Sequence, residues 1–136
     1  MTQIDLNKYK EFVDAVTSKE SKDNGSFTHR WTTLVNQRDV DMPRLLTASM
    51  GLGAESGEFT EVVKKILFQG KPMDADNIFH MQRELGDIMW YWMQGCMALN
   101  LDPNEVIAEN VNKLKARYPD GEFNPYQSEN RVTGDL

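Results

Sequence analysis

The chain has 136 residues and a mass of 15.6 kDa, the length of one domain, and is long enough to bury a real core. Fifteen Lys and Arg against twenty-one Asp and Glu leave a net charge of −6 and a pI near 4.9, which argues against a basic nucleic-acid surface. A single cysteine, Cys96, excludes an internal disulfide and a cysteine-based zinc site, and the longest apolar run, residues 88–93, is far short of the roughly 20 residues that span a bilayer. Residues 1–10 alternate polar and apolar side chains, unlike a secretory signal, so the expectation is an acidic, soluble, cytoplasmic protein without a nucleic-acid or membrane partner.

In chain order, Leu6, Tyr9, Phe12, Val13 and Val16 recur at three- and four-residue steps and predict an amphipathic helix. The polar stretch 18–25, closing on Asn24-Gly25, ends it, and Phe27, Trp31, Leu34 and Val35 predict a shorter helix with Ser26 as N-cap. Pro43 suits the first turn of a long helix running to about Gln69, stopped by Gly70-Lys71-Pro72. Another long helix is predicted from about Asp74 to Leu99, with Ile78, Met81, Leu85, Ile88, Trp92 and Cys96 as its apolar stripe. Asp102-Pro103-Asn104-Glu105 opens a last helix that ends near Tyr118-Pro119. With no convincing strand, the fold class is all-α, an antiparallel bundle of four to five helices completed by oligomerisation. Residues 1–118 read as one domain, and 119–136 as an irregular tail rich in Gly, Pro, Asn and Ser.

Both long helices carry acids where apolar residues belong. With Glu55 as the origin and about 100° per residue, Phe59 falls near 40°, Ile66 near 20° and Val62 near −20°, so Glu55 lies within the apolar stripe and Glu58, near −60°, on its edge. On the second helix Glu84 borders the stripe, and Asp87, about −60° from it, continues along that edge beside Tyr91. An unpaired buried carboxylate costs several kcal/mol, so these acids need protons, cations or a metal unless they line a solvated dent. If the two helices pack antiparallel, four carboxylates converge, and hard Mg²⁺ is the natural partner for such an oxygen set. Gly51, Gly53 and Gly57, each costing roughly 1 kcal/mol against Ala inside a helix, suggest close approach by another backbone or a ligand.

The last helix offers the opposite charge. Asn110, Lys113 and Arg117 share a stripe beside the apolar Ile107, Val111 and Leu114, a trio suited to phosphate oxygens. Cations near a helix C-terminus also arise for dipole reasons, so the trio alone leaves both explanations open. Lys65 shares the side of Glu58 and joins the candidate phosphate-binding cations, whereas Lys64 faces away. His29 and His80 belong to no Glu-x-x-His pair of the di-iron kind; His80 lies near the acid edge, where a plain surface role is expected. Trp92 reads as core, and Trp90, Met89 and Met93 as a subunit contact, so a homodimer or homotetramer is expected.

These residues carry a resemblance. Gly51-Leu52-Gly53-Ala54-Glu55-Ser56-Gly57-Glu58, then Lys64-Lys65, Glu84-Leu85-Gly86-Asp87, and Asn110-x-x-Lys113-Leu114-x-x-Arg117-Tyr118-Pro119 resemble the MazG-type nucleoside triphosphate pyrophosphohydrolases. That all-α superfamily is marked by Glu-x-x-Glu, a spacer, then Glu-x-x-Asp; here 25 residues lie between Glu58 and Glu84. The resemblance covers about residues 45–119. It implies Mg²⁺ ligation by Glu55, Glu58, Glu84 and Asp87 as the catalytic acids, with Asn110, Lys113 and Arg117 toward the nucleotide phosphates. It also implies a homodimer or dimer of dimers in which a neighbouring chain completes the site, and with one such domain the chain resembles the short stand-alone forms of bacteria and phages. The expected reaction is hydrolysis of a (deoxy)nucleoside triphosphate to monophosphate and pyrophosphate. Cleavage of a guanosine alarmone of the ppGpp kind is an alternative, as is a helical oligomer that binds nucleotide or metal without turnover.

Overall fold

In a computed structural model of the protein, which describes residues 4–37 and 39–131, aspartates open five of the six α-helices. A carboxylate just before a helix accepts hydrogen bonds from first-turn N–H groups that have no partner within the helix, and its charge complements the helix dipole. Asp5 serves α1 (Leu6–Val16), Asp23 serves α2 (Asn24–Val35) and Asp41 serves α3 (Met42–Phe68). Asp74 serves α4 (Ala75–Ala98) and Asp102 serves α5 (Pro103–Arg117). No strand forms among the described residues, and none of their helices is long and apolar enough to cross a membrane.

Two local expectations are corrected. Ser26 does not cap α2: its N–H donates to Asp23 Oδ2 at 2.7 Å, so the helix begins three residues earlier and absorbs Asn24-Gly25 into its first turn. A glycine there gives up no internal hydrogen bond, and the chain break falls instead at Thr17 and a 3₁₀ turn over Lys19–Ser21. Within the stretch 119–136, a short helix α6 (Pro125–Glu129) forms because Asn124 accepts from the N–H groups of Tyr126 and Gln127, with Pro125 in its first turn. Residues 132–136 of that stretch lie outside the described residues.

The core is the antiparallel hairpin of α3 and α4. Gly70, at φ +72°, turns the chain after α3 in a conformation that favours glycine. Buried Asn77 then ties the turn down: its amide donates to Pro72 O at 2.8 Å and Asp74 Oδ1 at 3.0 Å and accepts from Lys71 Nζ at 3.0 Å. At the far end Arg44 Nη1 donates to Gln94 Oε1 at 2.8 Å, and Asp41 N to Ala98 O at 2.8 Å. Ala48, Val62, Cys96 and Ala98 are buried between the helices, with Leu52, Phe59, Ile88 and Trp92 half-buried beside them.

Within one chain the expected bundle of four to five helices is reduced to this hairpin with α2 touching α3. Neither α1 nor α5 packs along it, and their apolar stripes stay open: Phe12 is 61% exposed and Ile107 53%. The chain exposes 11186 Å², whereas a compact monomer of this mass exposes roughly 7,200 Å².

Gly51 is where the hairpin closes most tightly. A Cβ there would overlap the ring of Tyr91, whereas one at Gly53 or Gly57 meets nothing. Gly51→Ala should therefore destabilise the protein by about 1–3 kcal/mol through overpacking, despite alanine's better helix propensity. Gly57→Ala should instead stabilise the isolated chain by up to about 1 kcal/mol. Urea midpoints of the two variants check the contrast, and a Gly51→Ala protein as stable as the parent would mean that the ring swings aside without loss.

Candidate metal centre

Halfway along the hairpin, one turn of α3 faces one turn of α4. Glu55 and Glu58 are three residues apart on α3, so their side chains emerge from the same flank one turn apart; Glu84 and Asp87 do the same on α4. Tyr91 packs on Gly51 one turn away, and this contact sets the distance between the helices beside the acids. Glu55, Glu58 and Glu84 each bring a carboxylate oxygen within 4.8 Å of the other two. Glu84 is buried, Glu55 half-buried and Glu58 exposed, so the cluster runs from the core to the surface.

The electrostatics follow from this crowding. Desolvation pushes the Glu55 carboxyl above the usual range, and the charges of Glu58, Asp87 and Glu84 push it further the same way. Asp87 thus acts on Glu55 by charge, although it lies outside the tight trio and is exposed. Like charges held this close repel unless protons or a cation neutralise them.

A hard divalent cation fits the donor set. All three ligand atoms are carboxylate oxygens with no sulfur among them, the chemistry that Mg²⁺ and Mn²⁺ prefer. Oxygens on opposite sides of an octahedral Mg²⁺ lie about 4 Å apart. Neighbouring oxygens lie closer, about 3 Å apart, so the trio, all within 4.8 Å of one another, would draw together to share an ion.

The other predicted residues are less gathered. Lys65 Nζ pairs with Glu61 Oε1 at 3.0 Å on its own helix and holds the Glu61 carboxyl below the usual range. Lys64 lies 3.9 Å from the same oxygen. Asn110, Lys113 and Arg117 ride on α5, which does not pack along α3 or α4 of its own chain. His80, read from the sequence as a plain surface residue, instead places Nε2 3.0 Å from Glu84 Oε1. The signal for it was present: His80 and Glu84 stand four residues apart on one helix, the spacing at which side chains meet.

A comparison with known families falls on this same stretch. The profile of the MazG nucleotide pyrophosphohydrolase domain matches residues 45–121, more than half of the chain, from the first turns of α3 through α4 and α5. The gene 37 protein of Mycobacterium phage L5 is 40% identical over 70 residues, 51% of this chain and 61% of that protein, so the match spans less than two thirds of the relative's length. No solved structure matches. The profile takes in both acid-bearing helices of the hairpin and the cationic helix that follows, and the chain belongs to the MazG nucleotide pyrophosphohydrolase domain family.

Proposed function

We propose that this protein hydrolyses (deoxy)nucleoside triphosphates to the nucleoside monophosphate and pyrophosphate, with Mg²⁺, or Mn²⁺ in its place, as cofactor. The convergence of Glu55, Glu58 and Glu84 carries this reading, and membership of the family supports the reaction class. An ion held by these three and Asp87 would supply Lewis-acid neutralisation of phosphate charge and activation of water.

The chain's own side chains do the positioning. The four acids project from two rigid helices clamped at both ends, so the ligand set does not have to be gathered from flexible loops. Asn110, Lys113 and Arg117 would grip the β- and γ-phosphate oxygens, with Lys65 exchanging Glu61 for phosphate. With the α-phosphate over the acids and the leaving phosphates on the cations, the bond to break lies between α and β, and water attacks in line at the α-phosphorus.

The same reading includes a homo-oligomer in which a neighbouring chain completes the site. The surplus of exposed area over a compact monomer is what subunit contacts would remove, and the open stripe of α5 lies beside its cations. A panel of nucleotides incubated in oxygen-18 water tests the reaction. The label should enter the monophosphate, with pyrophosphate as co-product and no turnover in EDTA. Label in pyrophosphate would place attack at the β-phosphorus. Release of orthophosphate with diphosphate as main product would reverse the substrate in the site, and turnover of a guanosine alarmone alone would replace the substrate class.

A further inference from the structure

Glu84 occupies a different position from the other acids of the cluster. It is the most buried of them, 6% exposed, and its Oε1 lies 3.0 Å from His80 Nε2. This contact sets an imidazole nitrogen against one oxygen of the Glu84 carboxylate. His80 sits one helical turn before Glu84 with its side chain 47% exposed, and it contributes no atom to the acid trio. It therefore touches the cluster through one oxygen of one ligand. A carboxylate held at one oxygen cannot turn freely about its last torsion, which otherwise has a broad and shallow preference. The held orientation keeps Glu84 beside Glu55 and Glu58 in the acid trio.

We infer that His80 is a positioning residue: through the contact of its Nε2 with Glu84 Oε1 it fixes the Glu84 carboxylate in the orientation that receives the divalent cation. The inference rests on the metal reading of the acid cluster. Groups that hydrogen-bond metal ligands tune affinity without touching the ion, and their loss weakens binding by about 10–100-fold. His80 has that effect here through Glu84 alone. Glutamine places an N–H donor at a similar reach, whereas alanine places none.

The test is Mn²⁺ affinity of the substrate-free protein, read from the free-ion electron paramagnetic resonance signal, with urea unfolding run in parallel. His80→Ala should bind Mn²⁺ about 10–100-fold more weakly, His80→Gln should stay close to the parent, and all urea midpoints should coincide. Parental affinity in His80→Ala overturns the inference, as does a loss in His80→Gln equal to that in His80→Ala. A urea midpoint that falls with the affinity reassigns His80 to folding. Imidazole nitrogen coupled to Mn²⁺ in pulsed spectra makes it a ligand rather than a positioning group. Glu58→Ala separates the two levels of the argument. If it binds Mn²⁺ as the parent does, the metal reading itself fails; if it loses binding while His80→Ala does not, only the role of His80 fails.

Discussion

Glu58→Gln and Asp87→Asn should each lower triphosphate turnover by roughly two to four orders of magnitude, the scale of removing one preorganised charge from a phosphoryl-transfer site. EDTA should abolish the activity of the parent and added Mg²⁺ should restore it. The same acids should act in the opposite sense on the metal-free fold. Glu55 titrates high because it is desolvated and because Glu58, Asp87 and Glu84 repel its charge. Removing one of those charges at neutral pH should therefore raise the melting temperature of the metal-free protein while activity collapses. The sign of the pH dependence follows from the same shift. A carboxyl whose folded pKa lies above its unfolded value of about 4.3 contributes stability at low pH and loses it as pH rises through the folded value. Metal-free parent should thus soften above that window, and Mg²⁺ should recover the loss most at higher pH, where the ligands are deprotonated. Thermal melts with and without Mg²⁺ check all three signs. Unchanged turnover in Glu58→Gln would remove the acids from the chemistry. A variant both inactive and less stable without metal would make them structural.

The parts of this architecture that were legible in the sequence are the local ones. Pro43, Asp74 and Asp102-Pro103 mark helix starts because an acidic cap and a first-turn proline need only their neighbours to act. Glu55 and Glu84 stood out because helical periodicity placed them against apolar residues, and a short reversal at Gly70 made the hairpin antiparallel. Ser26 misled because serine is a good cap, but Asp23, three residues earlier, accepts the Ser26 N–H itself and starts the helix at Asn24. The apolar stripe of α5 predicts burial and cannot say against which chain; in one chain it stays open. Gly51 and Gly57 look identical as letters, and only the position of Tyr91 separates a steric requirement from an open surface. His80 was placed near the acid edge but given a plain surface role, because sequence spacing brings two side chains within reach without stating that they meet.

Mixing two inactive variants should restore activity. Lys113→Ala removes a cation on α5, and Glu58→Ala removes a ligand on α3. If each site takes its acids from one chain and its phosphate-gripping cations from another, a mixed dimer has one site with both defects and one with neither. Random exchange in an equal mixture makes half the dimers mixed, so turnover should reach about a quarter of the parental value. The open chain motivates this geometry. The α5 helix does not pack on its own hairpin, yet Ile107, Val111 and Leu114 form an exposed apolar stripe beside Asn110 and Lys113. The hairpin offers a matching surface: Ile78 and Leu85, 52% and 51% exposed, lie open on α4 on either side of Glu84 in the chain. Docking the α5 of a second chain there would bury both stripes and carry Lys113 toward the acids, with no change inside the hairpin. Lys113→Ala should also keep parental Mn²⁺ affinity, since the lysine is no ligand, while losing triphosphate turnover. The exchange is run by mixing in mild denaturant and refolding, with the separately refolded variants as controls. Activity no higher than the sum of those controls, in a sample shown by light scattering to be oligomeric, would place the acids and cations of each site in one chain.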